Sequence, residues 1–86
     1  LQVEGDSMVD DGILDGDYVV VRKQSNAENG ETVVAIVENE ATVKRYYRTK
    51  DRVELRPARE GMKSFWFRKG NLRIEGKVVG VVRYFR

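Results

Sequence analysis

Thr32-Val33-Val34-Ala35-Ile36-Val37-Glu38-Asn39-Glu40-Ala41-Thr42-Val43-Lys44-Arg45-Tyr46-Tyr47 is the stretch on which the fold turns. A β-branched run leads into polar residues and then into an alternating run, which is the pattern of a hairpin. The sequence predicts a strand over Thr32–Glu38, a turn at Asn39-Glu40 and a returning strand over Glu40–Tyr47. Side chains alternate between the faces of a strand. Ala41, Val43 and Arg45 therefore share one face, and Thr42, Lys44 and Tyr46 the other. Outward from this hairpin, short strands are predicted at Tyr18–Arg22, Val53–Arg56, Phe65–Arg68, Leu72–Glu75 and Lys77–Tyr84. Glycines punctuate the runs, among them Gly76, and Pro57 ends one because it cannot donate to a ladder. No window of 11 residues carries a helical period. The reading is all-β with little or no helix, in one domain covering residues 1–86.

Composition narrows the chemistry. The 86 residues include 16 Lys+Arg and 14 Asp+Glu, with no His and no Cys. A Ser-His-Asp triad, a thiolate nucleophile and a disulfide framework are thereby excluded. Proton transfer must fall to Lys, Asp, Glu or Tyr. The apolar runs are far shorter than the ~18–20 residues that span a bilayer, so no membrane partner is expected. A reducing compartment such as the cytoplasm is the expected setting. Residues 1–40 carry ten acids and two bases, and residues 41–86 fourteen bases and four acids. This asymmetry is expected to be neutralised largely by pairing between the halves. Asp10, Asp11, Asp15 and Asp17 lack the spacing of a calcium loop and read as turn residues. No metal or cofactor is expected.

Two residues combine into a site. Ser7 lies in Gly5-Asp6-Ser7-Met8, ahead of the turn-rich Asp11-Gly12-Ile13-Leu14-Asp15-Gly16-Asp17. Lys44 lies in the returning strand of the hairpin, beside Thr42 on its face. A serine hydroxyl needs a base to take its proton. Without histidine, a lysine desolvated enough to be neutral is the natural substitute. Val33–Val37 and Val43 offer an apolar wall for it. Taken singly, Ser7 reads as a turn hydroxyl and Lys44 as a solvated lysine. Together they permit a Ser-Lys dyad without demanding one.

The stretches Val3-Glu4-Gly5-Asp6-Ser7-Met8, Asp11-Gly12-Ile13 and Asp15-Gly16-Asp17 resemble the peptidase domain of the LexA-type self-cleaving repressors. That family includes phage repressors and UmuD-like mutagenesis proteins. Asn29-Gly30-Glu31-Thr32-Val33-Val34-Ala35 with Ala41-Thr42-Val43-Lys44-Arg45 resembles its lysine strand. Val53-Glu54-Leu55-Arg56-Pro57-Ala58 and the run from Ile74 to Arg83 resemble its C-terminal part. The likeness covers nearly the whole chain.

The resemblance implies strongly bent sheets of the LexA and signal-peptidase type. It implies Ser7 as nucleophile and Lys44 as its base. The backbone N–H groups of Ser7 and of Asp6 or Met8 are implied to hold the oxyanion, and Thr42 to orient the amine. It further implies cleavage of one Ala-Gly bond in the family's own chain, favoured by a RecA–single-stranded-DNA filament after DNA damage. Operator DNA is implied to be bound by an N-terminal domain, and a homodimer to form through this one. The sequence holds no Ala-Gly dipeptide. The scissile bond and the DNA-binding domain are thus expected outside these 86 residues, with the chain a fragment.

The final Lys77–Phe85 run reads as an exposed edge that would pair with a second copy. A UmuD-like protein or a phage repressor satisfies the same motifs. A signal peptidase shares the chemistry, but Gly12-Ile13 stands where such enzymes carry proline. A reading of another class takes the chain as a non-catalytic β-barrel that binds nucleic acid or dimerises. Tyr46-Tyr47 and Phe65-Trp66-Phe67 would then serve as stacking platforms, although core or interface use fits a small domain better.

Overall fold

The computed structural model describes residues 1–85. Six strands make one antiparallel sheet: β1 (Tyr18–Lys23), β2 (Thr32–Val37), β3 (Glu40–Arg48), β4 (Arg52–Arg56), β5 (Phe65–Arg68) and β6 (Arg73–Val82). Their spatial order is β1-β6-β2-β3-β4-β5. Among the described residues helix is confined to two 3-10 turns, Val9–Asp11 and Lys69–Asn71. The all-β expectation holds, with one sheet in place of several. No helix among the described residues is long and apolar enough to cross a membrane.

The hairpin forms as its alternation predicts, with one shift. The turn is Glu38-Asn39, not Asn39-Glu40, and Glu40 already pairs with Val37. Both turn residues have positive φ, 50° and 68°. Such a two-residue loop matches the right-handed twist of the strands it joins, and it favours Asn-Gly. Glu in the left-handed region costs about 1 kcal/mol. The double substitution Glu38→Asn, Asn39→Gly is expected to stabilise the fold by about 1 kcal/mol, raising the melting midpoint by about 4–8 °C. A thermal melt checks this, and an unchanged midpoint would show the turn to be strain-free.

Two predicted strands, Leu72–Glu75 and Lys77–Tyr84, are one. β6 runs unbroken through Gly76. The glycine is there because the backbone of β1 comes too close for a side chain: a Cβ would lie 2.4 Å from the Arg22 carbonyl oxygen. β6 also carries an extra residue on each side. Val79 is skipped where Val20 and Val21 of β1 face Gly80 and Val78. Glu75 is skipped where Val34 and Ala35 of β2 face Gly76 and Ile74. Bulges of this kind bend a strand and add twist. The expectation of an exposed final edge is corrected in part. β6 lies between β1 and β2 in the sheet, but β2 pairs only with its residues 73–77, while residues 78–82 pair with β1 alone. The sheet's ends are β1 and β5.

Both faces of the curled sheet are buried in part. On one face Val34 and Val43 pack with Val3, Met8, Ile13, Val19 and Ala58. Residues 1–17 thus fold over that face, tied on by Val3 N–H to Asp17 O at 2.7 Å and by Asp10 N–H to Ala58 O at 2.7 Å. On the other, Val33, Ala35, Tyr46, Val53 and Leu55 pack with Ala27. β3 contributes to both, which is why Val43 and Lys44, neighbours on opposite faces, are both buried.

Candidate active site

β4 pairs only with Arg45 and the residues after it on β3. Residues 40–44 therefore keep an edge that β4 does not cover, and a cleft of about 460 Å³ opens there, lined by residues 1–4, Ser7 and residues 40–44. Lys44 stands opposite Val33, which is fully buried, and is itself only 8% exposed. Its Nζ lies 2.9 Å from Ser7 Oγ, 2.8 Å from Thr42 Oγ1 and 3.1 Å from the Val43 carbonyl oxygen. No salt bridge among the described residues includes Lys44. Burial holds the amine below its ordinary value of 10.5, because desolvation penalises the ammonium.

The three partners suit both charge states. An ammonium has three protons to donate, and all three oxygens accept. A neutral amine has two protons and a lone pair. It can donate to Thr42 and Val43 while accepting the Ser7 hydroxyl proton. The site can thus exchange one proton between Oγ and Nζ without leaving a polar group unpaired. Val43 O has no signal in the sequence, since a carbonyl is present at every position and only the fold aims it.

Ser7 sits in an irregular segment, not on a strand. The chain turns at Gly5, whose φ of 83° only glycine adopts readily, and Gly5 N–H donates to Asp15 Oδ1 at 2.7 Å. After Ser7, Met8 is driven into the core at 1% exposure, and its Sδ accepts from Ala58 N–H at 3.3 Å. The Val9–Asp11 turn is then held from two directions. Asp10 accepts from Glu60 N–H at 2.9 Å, and Asp11 pairs with Arg45 of β3. The Asp6 carboxylate points away toward Arg59, 3.7 Å distant. Within the described residues the backbone N–H groups of Asp6, Ser7 and Met8 donate no hydrogen bond.

Asp17 anchors the far end of the segment. Its carboxylate, 2% exposed, accepts from Arg83 Nε and Nη2, each at 2.7 Å, and from Leu14 N–H at 2.7 Å. Arg83 chiefly, then Leu14 N–H, lowers the Asp17 carboxyl from 3.8 to about 2. A carboxyl depressed in the folded state adds stability above its ordinary value and loses it as pH falls toward its folded value. The unfolding midpoint in urea is expected to drop between pH 4 and 2, and Asp17→Asn to remove that part of the drop. Equal slopes for both proteins would discount the Arg83 contact.

The sequence model of the Peptidase S24-like family matches residues 1–79. The chain belongs to this family. Among curated relatives, the LexA repressor of Syntrophotalea carbinolica is 60% identical over 87 residues, which is all of this chain and 43% of that protein. The LexA repressor of Syntrophomonas wolfei is 54% identical over 83 residues, 96% of this chain and 40% of that protein. That of Thermotoga maritima is 51% identical, again over 96% of this chain and 42% of that protein. This Peptidase S24-like chain thus spans about two fifths of the length of the relatives it matches.

Proposed function

We propose that this chain is the self-cleaving domain of a LexA-type transcriptional repressor, with Ser7 as nucleophile and Lys44 as general base. The contact of Ser7 Oγ at 2.9 Å with a buried Lys44 amine that has no carboxylate partner among the described residues carries the reading.

In the proposed reaction Lys44 Nζ, neutral, takes the proton from Ser7 Oγ as the oxygen attacks the carbonyl carbon of an Ala-Gly bond. The bond lies elsewhere in the longer protein and reaches Ser7 through the cleft between residues 1–4 and 40–44. The tetrahedral oxyanion is held by the free N–H groups of Ser7 and of Asp6 or Met8. The Lys44 ammonium then returns its proton to the departing glycine nitrogen, and the C–N bond breaks. Water, deprotonated by the same amine, hydrolyses the acyl-serine and regenerates Oγ–H. Thr42 and the Val43 carbonyl keep the amine aimed throughout.

Within this reading the longer protein binds operator DNA through an N-terminal domain and works in the cytoplasm. Docking on a RecA–single-stranded-DNA filament after DNA damage favours the cleavable state, and cleavage releases the repressed genes. Homodimerisation is assigned to this domain. Its support is the β6 edge beyond Lys77, which β2 does not cover, together with exposed apolar side chains at the C-terminal end, Val79, Val81, Val82, Tyr84 and Phe85, with Tyr18 and Val20 beside them on β1. The test is to follow the intact mass of the longer protein with time, wild type against Ser7→Ala. One new pair of fragments, ending and beginning at an Ala-Gly bond and absent from Ser7→Ala, is expected. Cleavage that persists in Ser7→Ala refutes the assignment.

A further inference from the structure

The far end of the sheet presents a face that the proposed peptidase does not use. Val53, Leu55 and Tyr46 turn one side of β3, β4 and β5 into the core. The other side carries Arg45 and Tyr47 of β3, Arg52 and Arg56 of β4, and Trp66 and Arg68 of β5. The register sets them in rows across the strands. Arg45 stands directly opposite Arg56, and Arg52 directly opposite Arg68. Between these arginine rows, Tyr47 and Trp66 flank Glu54 on either side. Trp66 is 53% exposed.

Like charges directly opposite one another across strands are unfavourable. Two such pairs on one face of a small sheet call for an anion. Internal carboxylates answer one row: Asp11 pairs with Arg45, and Glu54 with Arg56 through two 3.0 Å contacts. Arg56 is also stacked over Tyr47, 3.9 Å from the ring centre, so its guanidinium is fixed in place. Arg52 and Arg68 have no carboxylate partner among the described residues. The open charge therefore sits beside the open indole.

We propose that this face binds a single-stranded nucleic acid, with a base stacked on Trp66 and the adjoining phosphates on Arg52 and Arg68. Aromatic faces with arginines around them accept bases of any sequence and track a phosphate backbone. An acidic peptide adding a strand would use the β5 edge. The aromatic and cationic groups instead lie on the sheet's face, where backbone pairing has no part. Glu54 is buried, and Arg56 and Ser64 take up both of its carboxylate oxygens, so its charge is met within the protein.

Trp66 is the only tryptophan in the chain, so its fluorescence reports on this face directly. The 86-residue chain, its fold checked by circular dichroism, is titrated with a 12-nucleotide oligo-dT, and separately with poly-glutamate of similar charge. Saturable quenching by oligo-dT is expected. Affinity is expected to fall with salt, and the log–log slope to shrink by about 1.4 in Arg52→Ser, Arg68→Ser, at about 0.7 per lost phosphate contact. By anisotropy of a labelled oligo-dT, Trp66→Ala is expected to bind at least about fivefold more weakly, the lower end of a stacking contribution. Three results overturn the proposal: no saturable quenching at low salt, equal quenching by poly-glutamate, or unchanged oligo-dT binding in both variants.

Discussion

Self-cleavage of the longer protein is expected to accelerate about tenfold per pH unit, level off below pH 10.5, and disappear in Lys44→Arg. The base must be neutral to accept the serine proton, and below its pKa the neutral fraction of an amine rises tenfold per unit. The plateau falls below the ordinary lysine value because burial holds Lys44 down. Arginine keeps the charge and much of the length but never releases its proton in this range. The loss is expected to reach at least about 10³-fold in Lys44→Arg and in Ser7→Ala alike, since the two act as one unit. Adding the second substitution to either one is therefore expected to change little. Gel or mass analysis at pH 7, 8, 9 and 10 gives the profile. A flat profile, or cleavage surviving in Lys44→Arg, would place the base elsewhere.

Gly76→Ala is expected to cost about 3 kcal/mol, a large share of the roughly 4–13 kcal/mol available to a domain of this size. The added methyl meets the Arg22 carbonyl oxygen at 2.4 Å and Val21 Cγ1 at 2.5 Å, and the first of these is backbone. Strand β1 must move away from β6, and with it residues 1–17, which hold Ser7. The melting midpoint is expected to fall by about 12–24 °C. Gly80→Ala in the same strand is the control. A Cβ there meets Val20 no closer than 3.6 Å, which is ordinary contact. Equal effects at the two positions would trace the loss to glycine's absence from a strand, not to the approach of β1.

The hairpin was legible because its apolar positions alternate cleanly, and that alternation set Lys44 and Thr42 on one face. It did not show that both faces are buried there, since Tyr46 and Val43 reach different clusters. Nor did it show the gap where β4 leaves β3, which depends on the register that sets Arg56, the last residue of β4, opposite Arg45. Gly76 read as punctuation because a glycine that ends a strand and one that admits a neighbouring backbone look alike in sequence. The final strand read as an edge over its whole length because an apolar run does not reveal where a flanking strand ends. In the sequence, only the absence of histidine and the family's motifs link Ser7 to Lys44. Their distance came only from the fold.

The contacts that finish the serine side of the site have a direction in time. Among the described residues β1 has no strand partner but β6, apart from the bridge between Gln2 and Tyr18. Asp17 and the Gly12 carbonyl are bonded by Arg83, 66 and 71 residues further on. Synthesis proceeds from the N-terminus, at about 5–20 residues per second. Lys44 and its hairpin can therefore form on the ribosome before β1 has a strand to pair with, when the segment bearing Ser7 has only its contacts with β2, β3 and residues 58–60 to hold it. The last contacts that fix that segment, those of Arg83 and the pairing of β1 with β6, form only after residues 73–83 have emerged. The serine side of the site is thus finished later in synthesis than the lysine side.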